Sequence, residues 1–227
     1  MPSECRSVLK SCLARFVRLD ECGGIVVGEA SMLTTKGYIS VAATAQIETG
    51  EEFIQRNACG ELCLNEKDDD QFKRYDLEMQ FCQVDPELLE LISGARILVD
   101  SEGVSRGFAH GESTGVENFS LELWTKVSGG GCEGDPEWYW FAFPWVSNGV
   151  LTDVTFENGP LTLTVTGSTR GAGVAWGRGI GPNFVLPETE YAQSTDHLLG
   201  YLTTVQPPAA VCGLQEVTPE MVDIESP

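Results

Sequence analysis

The sequence predicts a mainly β protein: an antiparallel β-sandwich or partial barrel with one flanking α-helix and extended arms. Three observations indicate this fold class. Apolar and polar residues alternate with a period of two in several segments. Glycine-containing pairs that favour turns separate these segments, and one short segment carries both a helix start and a helix end. The 227 residues are enough for one sizeable β domain with a smaller appendage.

Four segments show the alternation that is typical of half-buried strands: residues 38–47, 75–81, 119–123 and 161–166. In the first, the outward side is small and uncharged. In the second it is largely acidic, and in the third it consists of Ser120 and Glu122. The residues expected to face the core are Ile39, Val41, Ala43, Ala45, Ile47, Tyr75, Leu77, Met79, Phe81, Phe119, Leu121, Leu123, Leu161, Leu163 and Val165.

Three turn signals indicate that the strands are antiparallel. Thr49-Gly50, Asn148-Gly149 and Asn158-Gly159 are expected to supply the positive φ angles that tight hairpins need.

One helix is predicted over residues 86–93. Asp85 is a favourable N-cap, Pro86 suits the first helical position, and Gly94 can end the helix. Residues 7–19 fit either a helix or a strand.

The chain is expected to divide near residue 185. Residues 1–185 form the predicted β domain with an N-terminal arm. A glycine-rich stretch, 171–181, leads into residues 186–227, which contain proline, show little periodicity and carry no basic residue. This part is predicted to be an acidic C-terminal arm.

The formal net charge of −20 excludes a protein that grips nucleic acid through its phosphates. The first five residues do not resemble a secretory signal, and the most apolar window, 138–146, is far shorter than a membrane span. The protein is therefore expected to fold in the cytosol without membrane contact.

Motifs that suggest chemistry have simpler interpretations. The pattern Gly111-Glu112-Ser113-Thr114-Gly115 matches a hydrolase nucleophile elbow, with His197 as a possible base, but a strand is predicted where the elbow needs a helix. Residues 177–182 lack the spacing of a dinucleotide fingerprint. The acidic residues 68–70 are not part of a twelve-residue, glycine-containing loop of the kind that binds calcium. No catalytic residue, cofactor or metal site is predicted.

The eight cysteines are expected to be mostly reduced in the cytosol. Cys59 and Cys63 stand four apart in a predicted hairpin, and only two histidines exist to complete a zinc site, so thiols are favoured. The aromatic run over residues 138–145 favours core packing combined with a subunit interface through Trp138, Trp140 and Trp145, over a sugar-stacking platform.

Several short stretches, by their order and spacing, resemble the major tail proteins, or tail tube subunits, of long-tailed, non-contractile bacteriophages of actinobacteria. The resemblance covers residues 15–185. The stretches are Ile39-Ser40-Val41, Glu48-Thr49-Gly50-Glu51-Glu52, Arg56-Asn57-Ala58-Cys59-Gly60-Glu61-Leu62-Cys63, Lys73-Arg74-Tyr75-Asp76-Leu77 and Phe81-Cys82-Gln83-Val84-Asp85-Pro86-Glu87-Leu88-Leu89.

The resemblance implies a structural virion protein and not an enzyme. Its fold would be two antiparallel sheets packed as a sandwich, with a flanking helix. Subunits would form hexameric rings, assembled in the host cytoplasm and stacked into a virion tail tube, with arms that lock adjacent rings. The implied partners are further copies of the chain, the tape measure protein, and the tail terminator and distal tail proteins. DNA would pass through transiently during ejection.

A tube wall that DNA must cross should be polar or acidic, because many basic side chains would hold the phosphates. The candidate lining residues are Ser40, Thr44, Gln46, Asp76, Glu78 and Gln80. The simpler alternative is that these residues face solvent. Other interpretations of the chain are a different virion ring or decoration protein, a carbohydrate-binding β-sandwich, and a hydrolase built on Ser113 and His197.

Overall fold

The computed structural model describes residues 8–111, 117–128, 138–172 and 192–221. This part of the chain is mainly β with one α-helix, which confirms the predicted class. The elements are β1 (Val8–Arg18), β2 (Gly28–Thr35), β3 (Tyr38–Glu48), β4 (Glu52–Arg56), β5 (Leu62–Lys67), β6 (Gln71–Phe81), α1 (Pro86–Ser93), β7 (Arg96–Val99), β8 (Ser105–Ala109), β9 (Asn118–Val127), β10 (Trp138–Thr155), β11 (Thr162–Arg170), β12 (Leu199–Thr203), β13 (Val211–Val217) and a 3-10 turn (Pro219–Met221).

Nine strands form one antiparallel main sheet. Its order is β13-β2-β1-β9-β10-β11-β6-β3, and β12 lies beside β10. The first part of the 18-residue β10 pairs with β9 and β12, and its second part pairs with β11. Two further hairpins, β4-β5 and β7-β8, stand outside this sheet.

The main sheet curls over itself. Phe16 of β1 and Phe81 of β6 are four strand positions apart, which in a flat sheet would separate them by about 19 Å at about 4.8 Å per strand. Their ring centroids lie 6.1 Å apart. The Tyr38 hydroxyl of β3 also donates to Ser11 Oγ of β1. The result is a sandwich-like fold made from one curled sheet, in place of the two sheets that the resemblance implies.

Both halves of the curled sheet face a common core that α1 helps to fill. The helix has the predicted ends: Asp85 Oδ1 accepts from the N–H groups of Glu87 and Leu88, and Gly94 adopts a φ of 65°. Residues 7–19, whose sequence fits either a helix or a strand, contain strand β1. The buried core residues are Ala14, Phe16, Leu33, Leu77, Met79, Phe81, Leu88, Leu89, Leu91, Ile92, Ala95, Phe119, Leu121, Phe143, Val146, Leu151, Leu163 and Val165.

The turn prediction was wrong at Asn148-Gly149. This pair lies inside β10, where the register with β11 shifts between Ser147 and Val150, so it forms a bulge and not a hairpin. Asn148 has a φ of 57°, but the positive φ expected at Gly50 and Gly159 was wrong. Thr49-Gly50 is not a hairpin turn either, because it joins β3, which pairs with β6, to β4, which pairs with β5. A Cβ on Gly149 would lie 1.6 Å from the Ile92 carbonyl oxygen, so the close approach of β10 to α1 requires glycine here. Asn158-Gly159 does join β10 to β11.

The outward face predicted for β9 was also wrong. Ser120 and Glu122 are buried, because the outer side of β1, β9 and β10 is covered by the segments 171–172 and 192–205. The covered layer consists of Leu13, Leu19, Trp124, Trp140, Ala142, Ala172 and Ala192, with Ile25, Trp138, Trp145, Leu199, Tyr201 and Val205 packed against it.

A buried ion pair stands within this covered layer. Arg15 Nε and Nη2 donate to Glu122 Oε1 and Oε2 at 2.9 Å and 2.8 Å. Trp140 Nε1 donates to Glu122 Oε2 at 2.9 Å, and the Arg15 guanidinium lies 5.2 Å from the Trp124 ring centroid. Fork-like pairing and the indole N–H thus offset part of the cost of removing both charges from water.

Part of the predicted C-terminal arm belongs to the main sheet. β12 pairs with β10, and β13 pairs with β2. Ala192 and Val217 are buried. The predicted boundary near residue 185 lies outside the described residues. No helix in the described part of the chain has the length and apolar character that a membrane span needs.

We predict that Glu122→Ala lowers the free energy of unfolding by about 3–5 kcal/mol, because it leaves the buried Arg15 guanidinium without its counter-charge. Urea denaturation measures the loss. Glu157→Ala is the control, since Glu157 is exposed and should change stability by no more than about 0.5 kcal/mol. Equal effects of the two substitutions would contradict a structural role for the ion pair.

Candidate functional site

The six residues predicted to line a channel lie together on one face of the main sheet. β3 and β6 are antiparallel neighbours, and residues directly opposite each other in such a pair project to the same side. The opposed pairs are Ser40 with Gln80, Ala42 with Glu78, Thr44 with Asp76, and Gln46 with Arg74. The structure therefore joins two sets that the sequence predicted on separate strands.

This surface continues onto β11, and we call it the polar face. β11 pairs with β6, so three hydroxyl-bearing residues extend the same side. The polar face consists of Ser40, Ala42, Thr44, Gln46, Arg74, Asp76, Glu78, Gln80, Thr164, Thr166 and Ser168. A groove of about 500 Å³ lies on it, and Asn148 of β10 forms part of its border.

The polar face carries little charge, and its excess charge is negative. Arg74 Nε donates to Asp76 Oδ1 at 2.8 Å, which pairs the one cation of the face with one of its two carboxylates. Glu78 carries the uncompensated charge, and its Oε1 accepts from Gln80 Nε2 at 3.0 Å. Gln80 Oε1 in turn accepts from the Ser40 hydroxyl at 3.3 Å. The surface is thus polar, internally hydrogen-bonded and unsuited to holding phosphates.

Among the described strands, β3 is a free edge of the main sheet, and the burial predicted for it was wrong. Val41 alone of the five expected inward residues packs against the core. A register shift between Tyr38 and Ser40 interrupts the expected alternation, and the rest of β3 extends along the sheet edge. The exposed residues are Ile39 (51%), Ala43, Ala45 and Ile47 (60%).

The ribbon formed by β3 and β6 continues into β4 and β5, and we call residues 49–70 the distal hairpin. At the junction, Gly50 N donates to Asp70 Oδ1 at 3.0 Å, and Asp68 N donates to the Glu51 carbonyl at 2.9 Å. Every residue of β4 and β5 is exposed. The exposed apolar residues of this hairpin are Phe53, Ile54, Leu62 and Leu64.

The tryptophans predicted at an interface lie in the covered layer described above. Trp140 is 1% exposed and already packed within its own chain. Trp138 and Trp145 are half-buried. Trp145 Nε1 donates to Asn118 Oδ1 at 3.0 Å, and the Arg170 guanidinium lies 5.4 Å from the Trp145 ring. These contacts favour packing within the chain over a surface open to sugars.

The other candidate motifs do not assemble into a site in the described residues. Ser113 and residues 177–182 lie outside the part that the structure describes. Cys59 and Cys63 are free and exposed on the distal hairpin. Within the described ranges, no group of three or more His, Cys, Asp or Glu side chains is arranged to share a metal ion.

His197 has a structural environment at the base of the distal hairpin. The Thr169 hydroxyl accepts the Tyr75 N–H at 2.9 Å and lies 2.8 Å from His197 Nδ1. The hydroxyl therefore has its own proton free to donate to a neutral imidazole. The Phe72 ring meets the imidazole edge-on at 5.1 Å. Burial lowers the pKa of His197, and the Asp196 charge opposes this in part.

Comparison with known proteins gives no family: no protein-family model matches the chain, and no curated protein matches it.

We predict that protonation of His197 destabilises the fold. Because its folded pKa lies below the usual value of 6.5, the stabilisation is present above pH 6.5 and is lost as the pH falls through the folded pKa. Thermal denaturation at about pH 7.5 and about pH 5.5 should show a larger loss for the wild type than for His197→Gln. An NMR titration midpoint of His197 at or above 6.5 would contradict this explanation.

Proposed function

We propose that this protein is a tail tube subunit of a long-tailed bacteriophage, a structural virion protein that assembles into stacked rings around a conduit for DNA. The observation that carries the proposal is the free edge strand β3, which borders the polar face directly. One element thus combines a surface suited to assembly with a surface suited to a channel wall.

The edge of β3 favours pairing with another copy. An unpaired edge strand presents a row of N–H and C=O groups that can template strand addition, and natural monomers protect such edges with charges, proline or covering segments. β3 is 11 residues long, contains no proline, and has no charged residue before Glu48. Its exposed Ile39 and Ile47 would gain apolar contact in an assembly.

The distal hairpin supports an assembled state in the same way. It continues beyond the main sheet, and its exposed phenylalanine, isoleucine and leucine side chains lie on β4 and β5. The register places Phe53 and Leu64 on one side of the hairpin and Ile54 and Leu62 on the other. Each side therefore offers a small apolar surface that a partner could cover. In the proposed tube, this hairpin provides the arm that contacts a neighbouring subunit.

The polar face supports a role as the channel wall. Each contact between a basic side chain and a phosphate is favoured by counterion release, so many such contacts would hold DNA in place. A channel wall that lets DNA pass must therefore avoid them. The face offers hydroxyl, amide and carboxylate groups, and its one guanidinium is already paired with Asp76. In a ring, the polar faces of successive copies would form a neutral to negative bore.

The formal net charge of −20 shapes how assembly proceeds. Like-charged subunits repel over about 8 Å, the screening length at physiological salt. Backbone pairing and apolar burial along the edge must exceed this repulsion. Assembly should therefore become more favourable as salt rises, because screening weakens the repulsion between subunits.

The proposal predicts hollow filaments in negative-stain images of the concentrated wild type, and no filaments for the double variant Ile39→Lys with Ile47→Lys. The two lysines place charge on the pairing edge but should leave the isolated fold stable, because both positions are exposed. Val99→Lys with Val104→Lys is the matched control, since it adds the same two charges at exposed positions of the β7-β8 hairpin, outside the main sheet.

Single rings that never stack would indicate another virion ring protein in place of a tube subunit. A wild type that remains monomeric at high concentration would contradict assembly altogether. Filaments that form equally well with both edge lysines would show that β3 is not the assembling edge.

A second prediction concerns the bore. Filaments carrying Ser40→Lys, Thr44→Lys and Glu78→Lys should retain DNA, with affinity that falls steeply as salt rises, whereas wild-type filaments should not. Ser101→Lys, Glu102→Lys and Thr195→Lys form the control, because they make the same change in charge at exposed positions away from the polar face. Equal DNA retention by both sets would contradict the polar face as the channel wall.

A further inference from the structure

The chain contains two Asn-Gly pairs in opposite structural settings. Asn148-Gly149 lies in the bulge of β10, and Asn158-Gly159 lies in the loop between β10 and β11. Such pairs are chemically reactive, because glycine lets its backbone nitrogen approach the preceding asparagine side chain without obstruction by a Cβ. Whether the reaction occurs depends on the freedom of the backbone at each pair.

From this contrast we propose that Asn158 is a site of spontaneous deamidation and that the fold protects Asn148. The Gly159 nitrogen loses its proton to hydroxide and attacks Cγ of Asn158. A bond forms between this nitrogen and Cγ, the bond from Cγ to Nδ2 breaks, and Nδ2 leaves as ammonia after taking a proton from water. Water then opens the cyclic imide to aspartate or isoaspartate. No oxidant, metal or enzyme is needed.

The loop at Asn158 gives the reaction the freedom that it requires. Residues 156–160 are all exposed. No heavy atom beyond the chain neighbours lies within 4 Å of a Cβ built on Gly159. Neither Asn158 nor Gly159 makes a hydrogen bond among the described loop, turn and side-chain contacts. The backbone nitrogen can therefore reach Cγ without breaking native contacts.

The bulge at Asn148 prevents the same approach. Asn148 is fixed at a φ of 57°, and its Nδ2 donates to Ser168 Oγ at 3.3 Å. Gly149 is buried against the Ile92 carbonyl at the end of α1, so its backbone cannot move without displacing the helix. Reaction at Asn148 requires local unfolding of β10, which passes through the core of the main sheet.

The modification would change the surface of the loop. It adds one negative charge at position 158, two residues from Phe156, whose side chain is 82% exposed. It can also insert an extra backbone atom when isoaspartate forms. Because the reaction depends only on the loop, its test is independent of tube assembly.

The test is incubation of the folded chain in mildly alkaline water enriched in oxygen-18, followed by peptide mass spectrometry. The solvent oxygen marks each converted residue. We expect conversion at Asn158 to be roughly tenfold or more faster than at Asn148, because the latter must wait for local opening. In urea, where both pairs are unfolded, the two rates should become similar.

Gly159→Ala provides the control within the loop, since it should slow conversion at position 158 and leave Asn148 unchanged. Equal rates at Asn148 and Asn158 in the folded protein would overturn the proposal. So would the absence of conversion at Asn158 in the folded protein, or a difference between the two sites that persisted in urea.

Discussion

The unpaired edge of β3 is the constraint on which the proposed function depends. Backbone N–H and C=O groups need partners, and no strand of the described residues supplies them on the outer side of β3. The strand is long, uncharged over most of its length and partly apolar. A second copy can replace water with a strand ladder and cover Ile39 and Ile47 in the same step.

The rest of the fold explains why this edge stays free. The sheet curls until the Tyr38 hydroxyl reaches Ser11 of β1, but no strand in the described residues pairs with the outer side of β3. The outer surface of the sheet has two contrasting halves. The half around Trp124 and Trp140 is covered by residues 192–205. The half around β3, β6 and β11 is polar and is left uncovered by the described residues.

The sequence predicted correctly those helices and strands whose limits and faces are set by neighbouring residues. Asp85, Pro86 and Gly94 fix the ends of α1 by themselves, so the helix was predicted residue by residue. The alternation in β6 was also confirmed, because that strand lies inside the sheet with one face on the core. Period-two patterns identified strands wherever they occurred in the described part.

Features set by distant parts of the chain could not be predicted in this way. The alternation in β9 predicts that Glu122 faces solvent. In the structure it is buried, because residues 192–205 cover this side of the sheet and Arg15 pairs with it. The apolar side of β3 looks buried until its place at the sheet edge is known. The pairing of β6 with β11, which extends the polar face, also joins segments far apart in the sequence. Asn148-Gly149 shows the same limit, since its turn-like residues serve a bulge against α1.

Amide hydrogen exchange along β3, measured on the monomer and on assembled protein, tests edge pairing most directly. In the monomer, the amides of Tyr38–Glu48 that point away from β6 should exchange rapidly. Assembly should protect these amides while leaving the β7-β8 hairpin unchanged. Assembled protein in which they still exchange as rapidly as in the monomer would contradict the claim that subunits join through this edge.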